Sequence, residues 1–442
     1  MVSDEPRGWP GVVHREGRTL MRVDERPDQG RRGPAAKGGR AFLNPAMAGS
    51  RTRSVLLMQH AIESGMLGDG TIYALDGLAA TGVRARRWVN ELPAESAERL
   101  DIVMGDLDEE SLSWAVRNHN EFPPVHGKGE LNAVIGDLRA MVLNHGRHWV
   151  DIDPYGSPVP FLDTAVQSLA RGGVIEVSAT DTAALTGSSK DPLLRRYGAR
   201  VRTDGLAHDS ALRVLLATLA RTAARHDRAI VPLLSVWDSH HLRVSARTIK
   251  RKGTASEVED NLGWRVHSPN SDEVLSSIKS GLHPETSLET LPMDCMLPLS
   301  YPVMRGDDRV SGPMWIGGMG DEGAMASMTE ERALSMCSAT YERDDVAGWT
   351  EEDFTRERRR VCRSVKNIHE ESRVIDSAHH IVVDDLSRWL ETPGPPSPRA
   401  LVECLENSGF KAGLTHYGKP SIRTDAPWDE IVSSTMSLQP PM

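Results

Sequence analysis

Five short apolar runs follow one another between residues 71 and 180, and segments with helical character lie between them. Short buried strands that alternate with helices predict a mostly parallel sheet, because a crossover helix is needed to bring the chain back to the same edge. We therefore predict an α/β fold here. The five predicted strands are TIYALD (71–76), DIVMGD (101–106), NAVIGD (132–137), HWVDID (148–153) and GGVIEVSAT (172–180).

Helices and a hairpin complete this pattern. The segments 111–119, 163–173 and 211–226 have the apolar spacing or the flanking residues of helices, and the second of them ends in glycines. Two further apolar runs, 229–237 and 241–249, are separated by a link too short for a crossover helix. They predict an antiparallel hairpin, so that seven strands form one mostly parallel sheet.

Four consecutive predicted strands end in aspartate, at Asp76, Asp106, Asp137 and Asp153. Any one of these residues alone could be the N-cap of the helix that follows. In a parallel sheet, however, all four lie at the same edge, and such sheets bind ligands at the carboxyl ends of their strands. The sequence therefore predicts a carboxylate-rich crevice where a cofactor binds.

The loop after the first strand, within LDGLAATGVR (75–84), consists mainly of small residues. Gly77 and Gly82 allow the backbone to approach a ligand, and the helix that follows points amide groups towards it. The run lacks the G-x-G-x-x-G pattern of dinucleotide-binding proteins, and a small-residue loop also suits S-adenosylmethionine. Asp106 can accept hydrogen bonds from ribose hydroxyls, as in NAD enzymes and methyltransferases alike. Asp137 can accept one from an adenine amino group.

The most specific run is DIDPYGSP (151–158), where the fourth strand meets its loop. The Asp153 carboxylate can accept the N–H of an aromatic exocyclic amine and help to remove its proton. Pro154 fixes the backbone, so that the preceding carbonyl can point at the same amine. Tyr155 offers a face on which an extruded base can stack. The run predicts methyl transfer to such an amine, and the simpler alternative is a Pro-Gly turn after a strand.

Positive charge is concentrated in a few places. The net charge of −10 counts by itself against nucleic-acid binding, because Lys and Arg neutralise phosphates. The arginines nevertheless cluster, and each cluster is either a solvated surface or part of a positive face on a negative body. The clusters are Arg84, Arg86 and Arg87; Arg195, Arg196, Arg200 and Arg202; Arg247, Lys250, Arg251 and Lys252; and Arg356, Arg358, Arg359 and Arg360.

Composition argues against several other classes of protein. No apolar run approaches the roughly 20 residues of a membrane span, and the N-terminus lacks the pattern of a signal peptide. We therefore expect a cytoplasmic protein without a membrane partner. The four cysteines are scattered, which argues against a disulfide framework and against a cysteine-rich zinc site.

The alternation of strands and helices breaks down after about residue 255. Residues 253–330 are rich in Gly, Ser, Pro and Met and show few clear elements. We predict an N-terminal extension (1–69) that packs on a catalytic domain (70–255), and a separate α+β C-terminal domain (256–442). The later predicted elements are helices at 351–370, 380–391 and 397–408 and short strands near 410–416 and 420–424.

Taken together, the motifs resemble the tRNA guanine-N2 dimethyltransferases of archaeal and eukaryotic type, which modify the guanine at position 26 of tRNA. The resemblance spans nearly the whole chain. It implies a class I methyltransferase fold (Rossmann-like), S-adenosylmethionine as cofactor, S-adenosylhomocysteine as product, and tRNA as partner. The segments that carry it are FLNPAM (42–47), Arg51, LDGLAATGVR (75–84), GDLDEESL (105–112), DIDPYGSPVPFLD (151–163), SATDTAAL (178–185), RRYGARVRTDGLAHDSALRVLL (195–216), GPMWIGGM (312–319) and THYGKPSIRTDAP (415–427).

The resemblance also implies roles for individual residues. Asp153 would act on the guanine amine beside Pro154, with Phe42 and Tyr155 flanking the flipped base. The C-terminal domain would grip the tRNA body. The cofactor would be held by Arg51 and Arg84 at its methionine carboxylate, by Asp76 and Gly82 around the first loop, by Asp106 at the ribose, and by Asp137 with the Leu138 backbone at the adenine.

Three positions depart from the family's pattern. Family members often carry paired cysteines before the GPMWIG segment, whereas only Cys295 lies nearby here, so we expect no metal. Leu138-Arg139 replaces Ala-Asn after the third-strand aspartate, which puts the adenine contact in question. Gly105 replaces the usual Asn before Asp106, and we expect this change to be minor.

Three alternative functions are compatible with parts of the sequence. A methyltransferase acting on another amine, such as adenine N6 in DNA or ribosomal RNA, would carry a similar acid-Pro-aromatic run. A nucleotide-dependent oxidoreductase could share the fold, but the missing G-x-G-x-x-G counts against it. The intact Asp106, Asp137 and Asp153 count against a non-catalytic RNA-binding protein. The number of methyl groups added and the oligomeric state are not determined by the sequence, and a monomer is compatible with it.

Overall fold

The computed structural model describes residues 2–25, 42–124 and 130–439. They form two compact units that interleave along the chain, whereas the ranges predicted from the sequence (1–69, 70–255 and 256–442) are continuous; those ranges stay a prediction. Unit 1 comprises Met1–Ser178, Arg247–Ile249 and Ser327–Lys366, and unit 2 comprises Ala179–Ala246, Lys250–Ala326 and Asn367–Met442.

Unit 1 begins with a β-hairpin and continues with alternating strands and helices. The hairpin, β1 and β2, packs through Met21 and Val23 against Val83. The elements from the start of the chain to the end of this part of unit 1 are β1 (Val12–Glu16), β2 (Thr19–Val23), α1 (Ala48–Glu63), β3 (Ile72–Asp76), α2 (Val83–Glu91), α3 (Ala94–Ala97), β4 (Leu100–Asp106), α4 (Glu109–Glu121), β5 (Glu130–Ile135), α5 (Leu138–Met141), β6 (Arg147–Ile152), α6 (Val159–Ser168) and β7 (Leu169–Ala179).

Unit 2 combines helices with two small antiparallel sheets, and α13 and α14 return to unit 1. The remaining elements are α7 (Thr182–Leu185), α8 (Lys190–Tyr197), α9 (Ala207–Ala224), β8 (Arg228–Asp238), β9 (His241–Lys250), α10 (Lys252–Ser256), β10 (Leu262–His267), α11 (Ser271–Lys279), β11 (Asp294–Pro298), β12 (Val310–Trp315), α12 (Glu322–Ala326), α13 (Glu330–Cys337), α14 (Glu351–Val365), α15 (Ile368–Glu371), β13 (His379–Val382), α16 (Val383–Trp389), α17 (Pro398–Asn407), β14 (Ala412–Leu414), β15 (Ser421–Thr424) and α18 (Trp428–Ser437).

The large sheet has the strand order β5-β4-β3-β6-β7-β9-β8. Strand β3 pairs in parallel with both β4 and β6, and parallel pairing continues to β5 on one side and to β7 on the other. The prediction of a mostly parallel, seven-stranded α/β sheet is confirmed. Because the chain leaves β3 in one direction and returns to β6 on its other side, the strand order reverses between β3 and β6. Ligands of open α/β sheets bind beyond the carboxyl ends of the strands at such a point.

Two of the predicted strands end earlier than their aspartates. Strand β5 ends at Ile135, and Asp137 is the N-cap of α5. Strand β6 ends at Ile152, so that Asp153 is the first residue of the following loop. The helix predicted over 163–173 was also placed wrongly at its end. It stops at Ser168, and the two glycines lie within β7.

The later elements correct the sequence-based expectation in two places. Residues 253–330 were expected to show few elements, yet they supply a three-stranded antiparallel sheet with the order β11-β10-β12. The segment 380–391 was predicted as one helix, but its first residues belong to strand β13, and helix α16 begins at Val383. The predicted strands near 410–416 and 420–424 are confirmed as β14 and β15, which pair antiparallel.

The interior of unit 2 contains a buried network of charges. The Arg423 guanidinium donates to Asp209 at 2.6 Å and to Glu371 at 2.9 Å, and all three side chains are almost fully buried. Arg213 also pairs with Asp209, at 2.6 Å, and His416 lies 2.6 Å from Glu371. Burial would raise the pKa of Glu371, but His416 and Arg423 outweigh it and lower that pKa to about 2.

Within the described ranges, no helix has both the length and the apolar character that crossing a membrane requires.

Candidate active site

The loop after β3 is tied to the ends of the two neighbouring strands. The amide of Gly77 donates to the carbonyl of Asp151 at 3.1 Å, and that of Ala79 donates to the carbonyl of Gly105 at 2.9 Å. These bonds hold the loop flat against the carboxyl edge of the sheet. A Cβ atom at Gly77 would lie 2.6 Å from Leu138 Cδ1 and 2.8 Å from the Asp151 carbonyl oxygen. Only glycine fits this close approach.

Replacing Gly77 with Ala is therefore expected to destabilise unit 1. The Asp151 carbonyl is backbone and cannot rotate away, so the loop itself must shift; overpacking of this kind costs about 1–3 kcal/mol. The free energy of unfolding, measured by urea denaturation, checks this. Gly70→Ala is the matched control, because a Cβ at Gly70 has nothing within 4 Å. Equal stability of the two variants would contradict the prediction.

Gly82 is the N-cap of helix α2 and lies in the left-handed region, with φ of +69°. A Cβ there would lie 2.5 Å from the Met104 sulfur, so this position also favours glycine. The turn directs the first amides of α2 towards the sheet edge. One of them, the amide of Ala85, donates at 3.2 Å to Asp76, whose carboxyl group is buried below the loop. Asp76 therefore fixes the start of α2 in addition to ending β3.

The carboxyl group of Asp76 lies in an unusual electrostatic environment. Burial and the neighbouring Asp151 carboxylate raise its pKa well above the ordinary value, although Arg84 opposes this. Asp76 lies opposite Asp151 in the neighbouring strand β6, so ionisation of both buried carboxylates is unfavourable.

Asp106, at the end of β4, is partly exposed and accepts two backbone hydrogen bonds. Its Oδ2 accepts from the amide of Ala80 at 2.8 Å, and its Oδ1 accepts from the amide of Asp108 at 3.0 Å. Each carboxylate oxygen can accept a second bond. Asp106 is therefore held in one orientation with acceptor capacity left for a ligand.

Asp137 and Leu138 lie shortly after β5, at the start of α5. The Asp137 carboxylate accepts the amide of Arg139 at 2.9 Å and also pairs with the Arg139 side chain. These bonds to Arg139 lower the pKa of Asp137 to about 2. Asp137 is thus a helix cap, which is the alternative that the sequence left open, while Leu138 is buried against Gly77.

Arg84 connects the first loop with the DIDPYG run. Its Nε lies 3.3 Å from Asp151, and its Nη2 donates to the Asp153 carboxylate. Its Nη1 is buried and has no hydrogen-bond partner among the described residues. A buried guanidinium N–H without a partner is unfavourable, and a carboxylate is the group that satisfies it best. The site therefore fits a ligand that carries a carboxylate, as the methionine end of S-adenosylmethionine does.

Arg51 is engaged within the protein. It forms two bonds of 2.6 Å to Glu16 in the N-terminal hairpin, and its Nη2 also donates to the Asn44 carbonyl at 2.8 Å. Burial would raise the pKa of Glu16, but Arg51 and Arg87 outweigh it and lower that pKa far below its usual range. Sequence reasoning missed Glu16, because nothing in the local pattern of β1 marks it as the partner of a distant arginine.

Phe42 and Tyr155 meet at the open side of the site. Their ring centroids are 5.3 Å apart with planes at 64°, an edge-to-face contact. The Phe42 carbonyl accepts a hydrogen bond from the Thr81 hydroxyl at 3.1 Å, which ties this segment to the first loop. Tyr155 is 60% exposed, whereas Pro154 beside it is buried. The structure thus brings Phe42, Asp153 and Tyr155 to one place.

One group of side chains in unit 2 has the composition of metal ligands. Atoms of Asp204, His267 and Asp294 lie within 4.8 Å of one another. Arg265 donates to Asp204 at 2.8 Å and to Asp294 at 3.1 Å. The buried guanidinium therefore already supplies the positive charge that the two carboxylates require.

A family profile described as N2,N2-dimethylguanosine tRNA methyltransferase matches residues 25–436 of this chain. The chain belongs to this family. Membership confirms the resemblance that the sequence motifs predicted, and it makes the chain a methyltransferase that acts on guanine N2 in tRNA.

Individual members of this methyltransferase family match over most of their length. The chain is 27% identical to the tRNA (guanine(26)-N(2))-dimethyltransferase of Aeropyrum pernix, covering 97% of each chain. It is 28% identical to the enzyme of that name from Thermococcus kodakarensis, over 88% of this chain and 91% of the other. A solved structure of Trm1 from Pyrococcus horikoshii with S-adenosyl-L-methionine superposes with a TM-score of 0.72 at 23% identity. That match covers 96% of this chain and 99% of the other. At this identity the likeness supports the fold, which is the predicted class I methyltransferase fold.

Proposed function

We propose that this methyltransferase acts on the guanine at position 26 of tRNA and adds one or two methyl groups to its N2. Family membership supports the chemistry, and the names of the most similar relatives support the position. The structural observation that carries the proposal is the meeting of Asp153, Arg84 and Tyr155 at the carboxyl edge of the sheet. This edge is where the strand order reverses, and it places an acid, a cation and an aromatic ring around one opening.

Several residues at this edge are proposed to hold the parts of the cofactor. Arg84 offers its unpartnered Nη1 to the methionine carboxylate, Asp106 offers its remaining acceptors to the ribose hydroxyls, and Asp137 with the Leu138 backbone is proposed to hold the adenine. Gly82 and Asp76 set the course of the loop between them. Arg51 contributes to carboxylate binding by sharing its guanidinium between the ligand and Glu16. When bound, S-adenosylmethionine supplies a methyl group that is activated by a positively charged sulfur.

Asp153 is proposed to act on the guanine amine. The lone pair of this amine is delocalised into the base, so the nitrogen is a poor nucleophile. A carboxylate that accepts one N–H turns the lone pair towards the methyl donor and takes the proton once the nitrogen has gained the methyl group. A weak base is sufficient, because the methylated nitrogen carries positive charge. Arg84 holds the Asp153 carboxylate in place, and the buried Pro154 fixes the loop that carries it.

Phe42 and Tyr155 are proposed to bind the base itself. Their rings touch in this structure, so the pair must separate before a base can stack between them. The exposed ring of Tyr155 is the half that can move, since Phe42 is tied to the first loop through Thr81. Partial burial, Asp106 and Asp153 raise the pKa of Tyr155, which keeps the phenol neutral beside these carboxylates.

Replacing Tyr155 with Ala is expected to raise the KM for tRNA by roughly 5- to 150-fold. This corresponds to the loss of one stacked base, about 1–3 kcal/mol. Tyr155→Phe keeps the ring and is expected to behave as wild type. Tyr73→Ala is the control, because Tyr73 is similarly exposed but stacks on His148 at the other end of β3. Steady-state methylation kinetics check the prediction, which fails if the KM of Tyr155→Ala stays unchanged.

Incubation with labelled S-adenosylmethionine and unmodified tRNA tests the proposed position. We expect label in N2-methylguanosine or N2,N2-dimethylguanosine at position 26, and none in an otherwise identical tRNA with adenine there. Label on an adenine N6, or on a guanine elsewhere, would overturn the proposal. The ratio of the two nucleosides over time would show whether one or two groups are added.

We further propose that the protein works in the cytoplasm, which follows from its proposed tRNA substrate.

A further inference from the structure

Helix α14 in unit 1 has one apolar face and one cationic face. Phe354, Val361 and Val365 are buried. The opposite side of the helix carries cations at spacings of three and four residues, which place them in one row. This row, called here the α14 stripe, consists of Arg356, Arg359 and Arg363 on the helix and of Lys366 directly after its last residue, all exposed. At 1.5 Å per residue it extends over about 15 Å.

Most of the stripe is not neutralised. Arg356 pairs with Glu352 at 3.2 Å and with Asp353 at 3.3 Å. Within the part of the chain that the structure describes, Arg359, Arg363 and Lys366 have no carboxylate partner. Arg363 donates only to the backbone carbonyl of Arg359, at 3.3 Å. Three uncompensated charges thus stand in a row on a protein whose net charge is −10.

The helix dipole accounts for only part of this arrangement. Acidic residues in the first turn and basic residues in the last turn stabilise any helix. Glu351 and Glu352 at the start, and Arg363 and Lys366 at the end, agree with that purpose. Arg359 lies in the middle of the helix, where the dipole has little effect. Its neighbours at i−3 and i+4, Arg356 and Arg363, carry the same charge and so do not stabilise the helix.

The position of α14 connects the stripe with the candidate active site. The helix packs against α1, and the Nη1 of Arg53 in α1 donates to the Ser364 carbonyl at 2.8 Å. Helix α1 follows directly on the segment 42–47, whose Phe42 touches Tyr155. The stripe and Asp153 therefore belong to one compact unit. A substrate held on α14 is held on the unit that performs the chemistry.

We propose that the α14 stripe binds the sugar–phosphate backbone of the tRNA. The inference rests on the proposed function, since it takes tRNA as the substrate. Arginine binds phosphate through paired N–H donors, and such contacts position a nucleic acid without reading its sequence. The stripe thus sets where the tRNA body lies, while the site around Asp153 selects the base.

The test is the salt dependence of tRNA binding by a triple variant, Arg359→Gln with Arg363→Gln and Lys366→Gln. The slope of log K against log salt is negative, and each lost phosphate contact reduces its magnitude by about 0.7–0.9. We expect the magnitude of the slope to fall by about 2–3 and the KM for tRNA at low salt to rise at least tenfold. The kcat at saturating tRNA and the affinity for S-adenosylmethionine are expected to stay within about twofold.

A matched triple variant controls for net charge. Lys250→Gln, Arg251→Gln and Lys252→Gln remove the same charge from exposed positions in another cationic cluster. This variant is expected to keep the wild-type slope. A second variant, Arg359→Lys with Arg363→Lys, keeps the positive charge and is expected to keep most of the affinity.

The outcomes separate this inference from the proposed function. An unchanged slope in the α14 variant, or an equal fall in both triple variants, overturns the stripe as a binding surface. The α14 triple variant and the Arg-to-Lys variant could both show a lower melting temperature while the folded proteins bind tRNA as wild type does. That result would assign the stripe to helix stability and would also overturn the proposed binding surface. If the slopes differ as expected but the label appears away from guanine 26, the stripe stands and the proposed position fails.

Discussion

Replacing Asp153 with Asn is expected to lower the kcat for tRNA methylation by about 10²- to 10⁴-fold, the range for loss of a general base. Asparagine has nearly the same shape, but its amide cannot take the proton from the guanine N2. The affinity for S-adenosylmethionine is expected to change little, because the proposed contact to the cofactor carboxylate uses Nη1 of Arg84, whereas Nη2 bonds to Asp153. Single-turnover methylation and calorimetric titration of the cofactor measure the two effects separately.

Asp163→Asn is the matched control, since Asp163 belongs to the same run, DIDPYGSPVPFLD, but lies exposed on α6. It is expected to leave kcat within about twofold of wild type. Full activity of Asp153→Asn would remove Asp153 from the chemistry. An equal loss of cofactor binding and of turnover would instead assign it to the cofactor site, where it would position Arg84.

Replacing Arg423 with Met is expected to destabilise the protein by about 3–5 kcal/mol, the cost of breaking a buried ion pair by removing one partner. The change leaves Asp209 and Glu371 buried without the guanidinium that both of them contact. Arg213 and His416 still face these carboxylates and set the lower end of the range. Urea unfolding at neutral pH measures the difference.

Acid should reduce the difference in unfolding free energy between wild type and Arg423→Met. The folded-state pKa of Glu371 lies at about 2, below its value in the unfolded chain. Stability from this group is therefore fully present above a pH of roughly 4.5 and is lost as the pH falls towards 2. We expect the free energies of unfolding of wild type and Arg423→Met to become more alike over this interval.

Arg399→Met is the control for the measurement at neutral pH, because the exposed pair of Arg399 with Glu370 should contribute less than about 1 kcal/mol. A loss of unfolding free energy in Arg423→Met as small as that in Arg399→Met would contradict the prediction.

The sequence predicted the catalytic half of the molecule better than the remainder. Alternating strands and helices in β3 to β7 have strong local signals, because buried parallel strands are apolar throughout and their helices are periodic. The antiparallel sheet of β10, β11 and β12 has short strands without such periodicity and was not found. The strand β13 at the start of the predicted 380–391 helix was missed for a related reason. Its four residues are too few to be distinguished from a buried helical turn.

Side-chain partners were harder to predict than elements. Asp106 is where the sequence placed it, at the end of a strand and oriented by two amides. Asp137, by contrast, caps helix α5 and bonds to Arg139, and Arg51 is bound to Glu16. Their cofactor roles therefore stay predictions. Phe42 and Tyr155, predicted to flank a base, lie in contact with each other.

The sequence by itself determined the α/β architecture and the family, because these follow from periodicity and from contiguous motifs such as DIDPYGSP. Only the tertiary structure decided which charges meet. Arg51 pairs with Glu16, which is 35 residues away in the chain, Arg84 pairs with Asp153, 69 residues away, and Arg423 pairs with Asp209, 214 residues away. Such pairs depend on how elements distant in the chain pack together. They also depend on which carboxylates become buried, because a buried carboxylate is stable only beside a cation. No local pattern in the chain encodes that choice.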